Sequence, residues 1–132
     1  MQRRQFLHTG LAASATYYYR IRATNSGGTS SYATGNSATL TTAPDAPTNL
    51  IATVTSTSTI LLDWSDNSNN ETQFLIERSP NGNGWSQIDT VNANVTTYTA
   101  SGLNSGHTYY FRVRATNATG NSAYTNSGNG TP

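Results

Sequence analysis

The run Gly102-Leu103-Asn104-Ser105-Gly106-His107-Thr108-Tyr109-Tyr110-Phe111-Arg112-Val113-Arg114-Ala115-Thr116-Asn117 decides the fold. From Tyr109 onward, Tyr109, Phe111, Val113 and Ala115 alternate with Tyr110, Arg112 and Arg114. A period of two with one apolar side is the pattern of a β-strand that buries one face. The run is also written twice. Shifted by 92 positions, residues 102–124 (GLNSGHTYYFRVRATNATGNSAY) fall on residues 10–32 (GLAASATYYYRIRATNSGGTSSY) without a gap, and 13 of the 23 positions are identical. A repeat at fixed spacing means a repeated structural unit. Residues 44–132 hold one whole unit, and residues 1–43 hold only the last strands of another.

Upstream of the quoted run, short alternating stretches are separated by turn residues. Leu50, Ala52 and Val54 alternate on a first strand, and Ile60, Leu62 and Trp64 on a second, with Asp63 on the opposite side. Residues 66–71 read as a polar loop, and Phe74 and Ile76 as the buried side of a third strand. Pro80-Asn81-Gly82-Asn83-Gly84 is a turn signal. Trp85 and Ile88 follow on a short strand, and Tyr98 anchors the next. The spacing predicts an all-β fold: an immunoglobulin-like sandwich of two antiparallel sheets with about seven strands, preceded by a partial sandwich of two or three strands.

Composition agrees. The 132 residues include 23 Thr, 15 Ser and 15 Asn, whereas charged residues make up only 10%. Thr and Tyr suit strands, and Asn, Ser and Gly suit turns. Low charge with 10% aromatic residues is not the composition of a disordered chain. Seven Arg, no Lys and six acids give a net charge of +1, which is no footprint for nucleic acid. No apolar run is long enough to span a bilayer as a helix. The absence of Cys excludes disulfides, thiolate catalysis and Cys-ligated zinc.

Residues 44–132 resemble a fibronectin type III domain of the kind common in bacterial secreted proteins. The resemblance rests on Ala46-Pro47 with Leu50, on Leu62-Asp63-Trp64, on Leu103 six residues before Tyr109, and on Phe111-Arg-Val-Arg-Ala-Thr-Asn117 with Gly120. The resemblance implies that Tyr109 is a tyrosine-corner residue whose hydroxyl bonds the backbone near Leu103. Ser105 stands where the family usually has Pro, so a looser turn is expected there. It also implies a non-catalytic module with no cofactor, secreted or at the cell surface. Its partners would be neighbouring domains of the same polypeptide, with polysaccharide or cell-surface protein beyond them.

The first 43 residues pose a physical problem. Tyr17, Tyr19, Ile21 and Ala23 form an inward face with no opposing sheet, and a few strands without a second layer are marginal. The expectation is a piece of a longer array, with strand donation into another chain as the alternative. Arg3-Arg4 followed by Phe6-Leu7 and the small residues 12–15 also resemble a twin-arginine export signal. His8, Thr9 and Gly10 interrupt the apolar core such a signal needs, and the repeat already claims Gly10 and Leu11.

No catalytic constellation stands out. His8 and His107 have no carboxylate at ligand spacing, so neither a metal nor a general base is expected there. Asp66, Ser68, Asn70 and Glu77 mimic part of a calcium-loop spacing, but Glu71 occupies the position that needs Gly. A loop with Asx turns is the expectation. The one surface feature with functional flavour is the outward stripe Tyr110, Arg112 and Arg114, echoed by Tyr18, Arg20 and Arg22. Tyr and Arg are enriched at binding hot spots, and planar rings stack on sugars. Against this, the arginines would lie across from Glu77 and lay their stems on Leu75. The leading expectation is a spacer or weakly interacting module in a secreted multidomain protein. A ligand-recognising adhesin module is the second, and a short exported protein the third.

Overall fold

The structure, a computed structural model, describes residues 4–132; Arg3 of the paired arginines lies outside the described residues. The described residues form two compact units, the first ending at Thr42 and the second spanning Ala43–Pro132.

The second unit is a sandwich. Its strands are β7 (Thr48–Val54), β8 (Ile60–Ser65), β9 (Gln73–Ser79), β10 (Ser86–Asn92), β11 (Thr97–Ala100), β12 (Tyr109–Thr116) and β13 (Gly128–Gly130). One sheet has the order β11-β8-β7 and the other β10-β9-β12-β13, with every pairing antiparallel. Alternation sorts the side chains. Leu50, Ile60, Leu62 and Trp64 come from one sheet, and Phe74, Ile76, Phe111, Val113 and Ala115 from the other. All are buried, and Ala100 and Leu103 complete the core. Burial of each large apolar side chain stabilises the fold by roughly 1.5–3 kcal/mol. The alternation on β7 fades along its length: Leu50 is buried, Ala52 is half-buried and Val54 is exposed.

Two glycines mark close approaches. A Cβ on Gly130 would lie 3.0 Å from Ile60 Cδ1 and 3.2 Å from Val54 Cγ2, so a side chain here would have to push those two methyl groups aside where the last strand passes the first sheet. Gly82, in the β9–β10 turn, has φ +79° and carries the Tyr110 ring 3.6 Å from its Cβ position. Trp85 sits just before β10, and a register shift between Gln87 and Asp89 kinks this edge strand.

The sequence spacing suggests residues 41–47 as a linker with paired prolines. Instead, Pro44 and Pro47 are buried, and Asn67 Nδ2 donates to Ala46 O at 3.0 Å and to Thr48 Oγ1 at 3.0 Å. Fixed φ angles and an apolar ring make these prolines part of the sandwich rim. At the Ser105 turn, Gly106 N donates to Pro132 O at 2.7 Å and Ser105 Oγ donates to the same oxygen at 3.2 Å.

The first unit is one long hairpin of two chain passes. Its ladder segments are β1 (Thr16–Tyr17), β2 (Arg20–Ile21), β3 (Thr24–Asn25), β4 (Gly28–Thr29), β5 (Ala33–Thr34) and β6 (Ala38–Thr39), paired β1–β6, β2–β5 and β3–β4. The register slips by one residue between successive ladders: Thr16 faces Thr39, Arg20 faces Thr34 and Thr24 faces Thr29. Tyr17 and Tyr19 are half-buried and His8 packs edge-on to both rings, but Ile21 is 71% exposed.

Candidate functional site

The tyrosine-arginine stripe lies on the outer face of the four-stranded sheet. Register places Arg112 opposite Glu77 and Arg114 opposite Leu75 on β9. Arg112 Nε donates to Glu77 Oε2 at 2.6 Å, and the Tyr124 hydroxyl donates to Glu77 Oε1 at 2.8 Å. The Glu77 carboxylate is thus satisfied at both oxygens, which is what allows it to be 92% buried on a sheet face.

The guanidinium groups then close the face. That of Arg112 lies between two rings, 4.4 Å from the centroid of Trp85 and 3.6 Å from that of Tyr124. Arg114 stacks on Tyr124 at 4.7 Å, and its buried Nε has no hydrogen-bond partner. Stacking on an aromatic ring holds a guanidinium without directed hydrogen bonds. Burial raises the Tyr124 pKa above its ordinary value, and the hydrogen bond to Glu77 and that residue's charge raise it further. The two arginines oppose this more weakly. Tyr110 is half-buried against Gly82.

The first unit repeats the arrangement without its acid and without its tryptophan. Arg20 stands 3.9 Å and Arg22 4.9 Å from the centroid of Tyr32. Residues 1–44 contain no acid, so no carboxylate of this unit takes the place of Glu77. Tyr18 is 82% exposed. Trp85, Tyr32 and Tyr124 escape a reading of strand alternation alone. Tyr32 and Tyr124 were nevertheless marked, because they are among the 13 identical positions of the repeat.

The polar loop is wired as Asx turns. Asp66 Oδ1 accepts from Ser68 N at 3.0 Å and Ser68 Oγ at 3.2 Å, and Glu71 accepts from Ser68 Oγ at 2.7 Å and Asn94 N at 3.1 Å. Burial raises the Glu71 pKa, but hydrogen bonds to Ser68 and to backbone groups outweigh it and leave the carboxyl below its ordinary value. Glu77 is committed to Arg112 and Tyr124 and takes no part. Among the described residues no group of three or more His, Asp or Glu side chains is placed to hold a metal ion. No helix among them is long and apolar enough to cross a membrane. His8 Nδ1 lies 3.0 Å from the Tyr19 hydroxyl.

Both tyrosine corners are present. Asn104 N donates to the Tyr109 hydroxyl at 2.9 Å, and Ala12 N to the Tyr17 hydroxyl at 2.8 Å. A sandwich with these sheet orders and a tyrosine corner defines an immunoglobulin-like β-sandwich. The chain belongs to the fibronectin type III domain family, whose sequence profile matches residues 45–131. It is similar to chitinase A1 of Niallia circulans, 36% identical over 124 residues, an alignment covering 86% of this chain and 17% of chitinase A1. Among solved structures it is similar to an Fn3-like protein from Clostridium thermocellum, with 28% identity, a TM-score of 0.58, and coverage of 69% of this chain and 96% of that one. A multidomain segment of titin shares the fold at 23% identity and a TM-score of 0.62, covering 90% of this chain and 41% of that one.

Proposed function

We propose that residues 44–132 form a non-catalytic spacer module of a secreted or cell-surface multidomain protein, and that residues 1–43 are the closing strands of a preceding repeat. The observation that carries the spacer reading is the closed stripe. The Tyr124 ring is occupied by Arg112 and Arg114, and Arg112 also covers Trp85, so the arginines serve the sheet's own packing. The likeness to 17% of chitinase A1 supports a modular setting, with the chemistry in other domains. Neighbouring domains of the same polypeptide are then the principal partners, and fold alone assigns no activity.

The second reading, a ligand-recognising module, draws on the exposed Tyr18 with Arg20 and Arg22, whose ring and charges are not clamped by an acid. Retention of the chain on insoluble chitin and cellulose separates the two. The spacer reading predicts no retention above that of an inert protein. Retention abolished by Tyr18→Ala with Arg20→Ala, or by Tyr110→Ala with Arg112→Ala, would establish recognition instead.

A further inference from the structure

Three Asn-Gly pairs occur in the chain, Asn81-Gly82, Asn83-Gly84 and Asn129-Gly130, and all lie in the second unit. The pair is chemically distinctive, because glycine carries no side chain to shield its amide nitrogen from the preceding carboxamide. The structure treats the three differently. Asn81 is the hub of the β9–β10 turn: its Oδ1 accepts from Ser79 Oγ at 3.1 Å, Asn83 N at 3.0 Å and Gly84 N at 3.2 Å. Gly82 N donates to Ser79 Oγ at 2.9 Å, and Ser79 is fully buried. Carboxamide and amide of that pair are both pinned. Asn129 lies in β13 opposite Tyr110, and Gly130 packs closely on Ile60 and Val54, so ladder and packing hold the main chain there. Asn83 is exposed, and its carboxamide makes no hydrogen bond to any described residue. Gly84 is exposed as well, with open space at its Cβ position, and its N–H is held by the 3.2 Å bond to Asn81.

We propose that Asn83 is a site of spontaneous deamidation, a self-modification with the Gly84 amide as nucleophile and water as co-reactant. Deprotonated by base in solution, Gly84 N bonds to Asn83 Cγ. The bond from Cγ to Nδ2 breaks, and the carboxamide nitrogen departs as ammonia with the proton. Water then opens the cyclic imide at one carbonyl or the other, leaving aspartate or isoaspartate, and no electrons are exchanged. The folded chain accommodates the product, since the Asn83 side chain holds no other group in place. Each conversion adds one negative charge and takes the formal net charge from +1 to zero. The new carboxylate stands two residues before Trp85, the ring that Arg112 covers at 4.4 Å. The other two pairs present the same residues to the reaction, so it is the fold that spares them.

The test incubates the full 132-residue chain in mildly alkaline buffer, labels isoaspartate with an isoaspartate methyltransferase and locates it by tandem mass spectrometry. Isoaspartate is expected first at position 83, at least about tenfold faster than at 81 or 129, where several hydrogen bonds must open before the ring can close. Gly84→Ala has open space for its methyl group. It should slow conversion at 83 at least about tenfold by shielding the nitrogen, with the unfolding transition left in place. In guanidinium chloride the three sites should convert within about threefold of one another, because the fold that separates them is gone. The inference is overturned if 81 or 129 converts first in the folded chain, or if the three convert equally there. It is overturned if Gly84→Ala converts as fast as wild type, or if the folded ranking persists in guanidinium. A folded chain that stays intact at 83 while the unfolded chain converts overturns it too.

Discussion

Residues 10–42 and residues 102–132 are two versions of one hairpin, and they differ in what lies behind them. The tyrosine corners measure 2.8 and 2.9 Å. Ala23 N donates to Ser30 Oγ at 2.8 Å, and Ala115 N to Ser122 Oγ at 2.9 Å. Thr16 meets Thr39 at 2.6 Å, and Thr108 meets Thr131 at 2.8 Å. Yet Ile21 is 71% exposed while its counterpart Val113 is fully buried. The difference teaches that hairpin geometry is written locally, in turn residues, short hydroxyl side chains and arginine-tyrosine stacks. The free energy that holds it comes from the opposing sheet.

The comparison breaks most visibly in the core. Phe111→Ala leaves a cavity at a fully buried site and should cost about 3–5 kcal/mol in denaturant unfolding. Its counterpart Tyr19→Ala should change that transition by less than about 0.5 kcal/mol. Next comes the carboxylate present in only one copy. Glu77→Gln loses the charge in its bond to Arg112 and should cost about 1.5–3 kcal/mol. Arg20→Gln, with no acid in its own unit, should leave the same transition in place. Tyr109→Phe, which removes one corner hydrogen bond, should cost about 1 kcal/mol. Tyr17→Phe should show only as a shifted Ala12 amide resonance.

The smallest effect concerns acid. Glu71 has its pKa lowered in the fold, so its contribution is present above the ordinary value of 4.5 and is lost as pH falls through the lower folded value. Replacing it with Gln should flatten the acid side of the stability profile below about pH 4.5 while leaving the profile's shape near neutrality unchanged. A profile as steep as wild type would show that its bonds to Ser68 and Asn94 do not favour the ionised form.

Much of the fold was legible because alternation is a backbone property. Ile60, Leu62 and Trp64, like Phe111, Val113 and Ala115, declare their buried side at every second residue. The same rule placed Arg112 across from Glu77. Its reach is one strand and its immediate neighbours, so it could not show that Trp85 and Tyr124 clasp Arg112 from different parts of the chain. Nor could it show Glu71 joined to Asn94, a contact between two loops. The prolines at 44 and 47 read as a linker because their composition is that of a linker; burial against the rim is a tertiary fact that composition does not carry.

Residue-resolved hydrogen exchange on the intact chain tests the central claim most directly. The amides of Ser30 and Ser122 each donate to the corresponding alanine carbonyl at 2.8 Å. If the opposing sheet supplies the stability, Ser122 should exchange only with global unfolding and Ser30 at least about a thousandfold faster, by local opening. Equal protection of the two amides would mean that the hairpin stabilises itself, and would contradict the account.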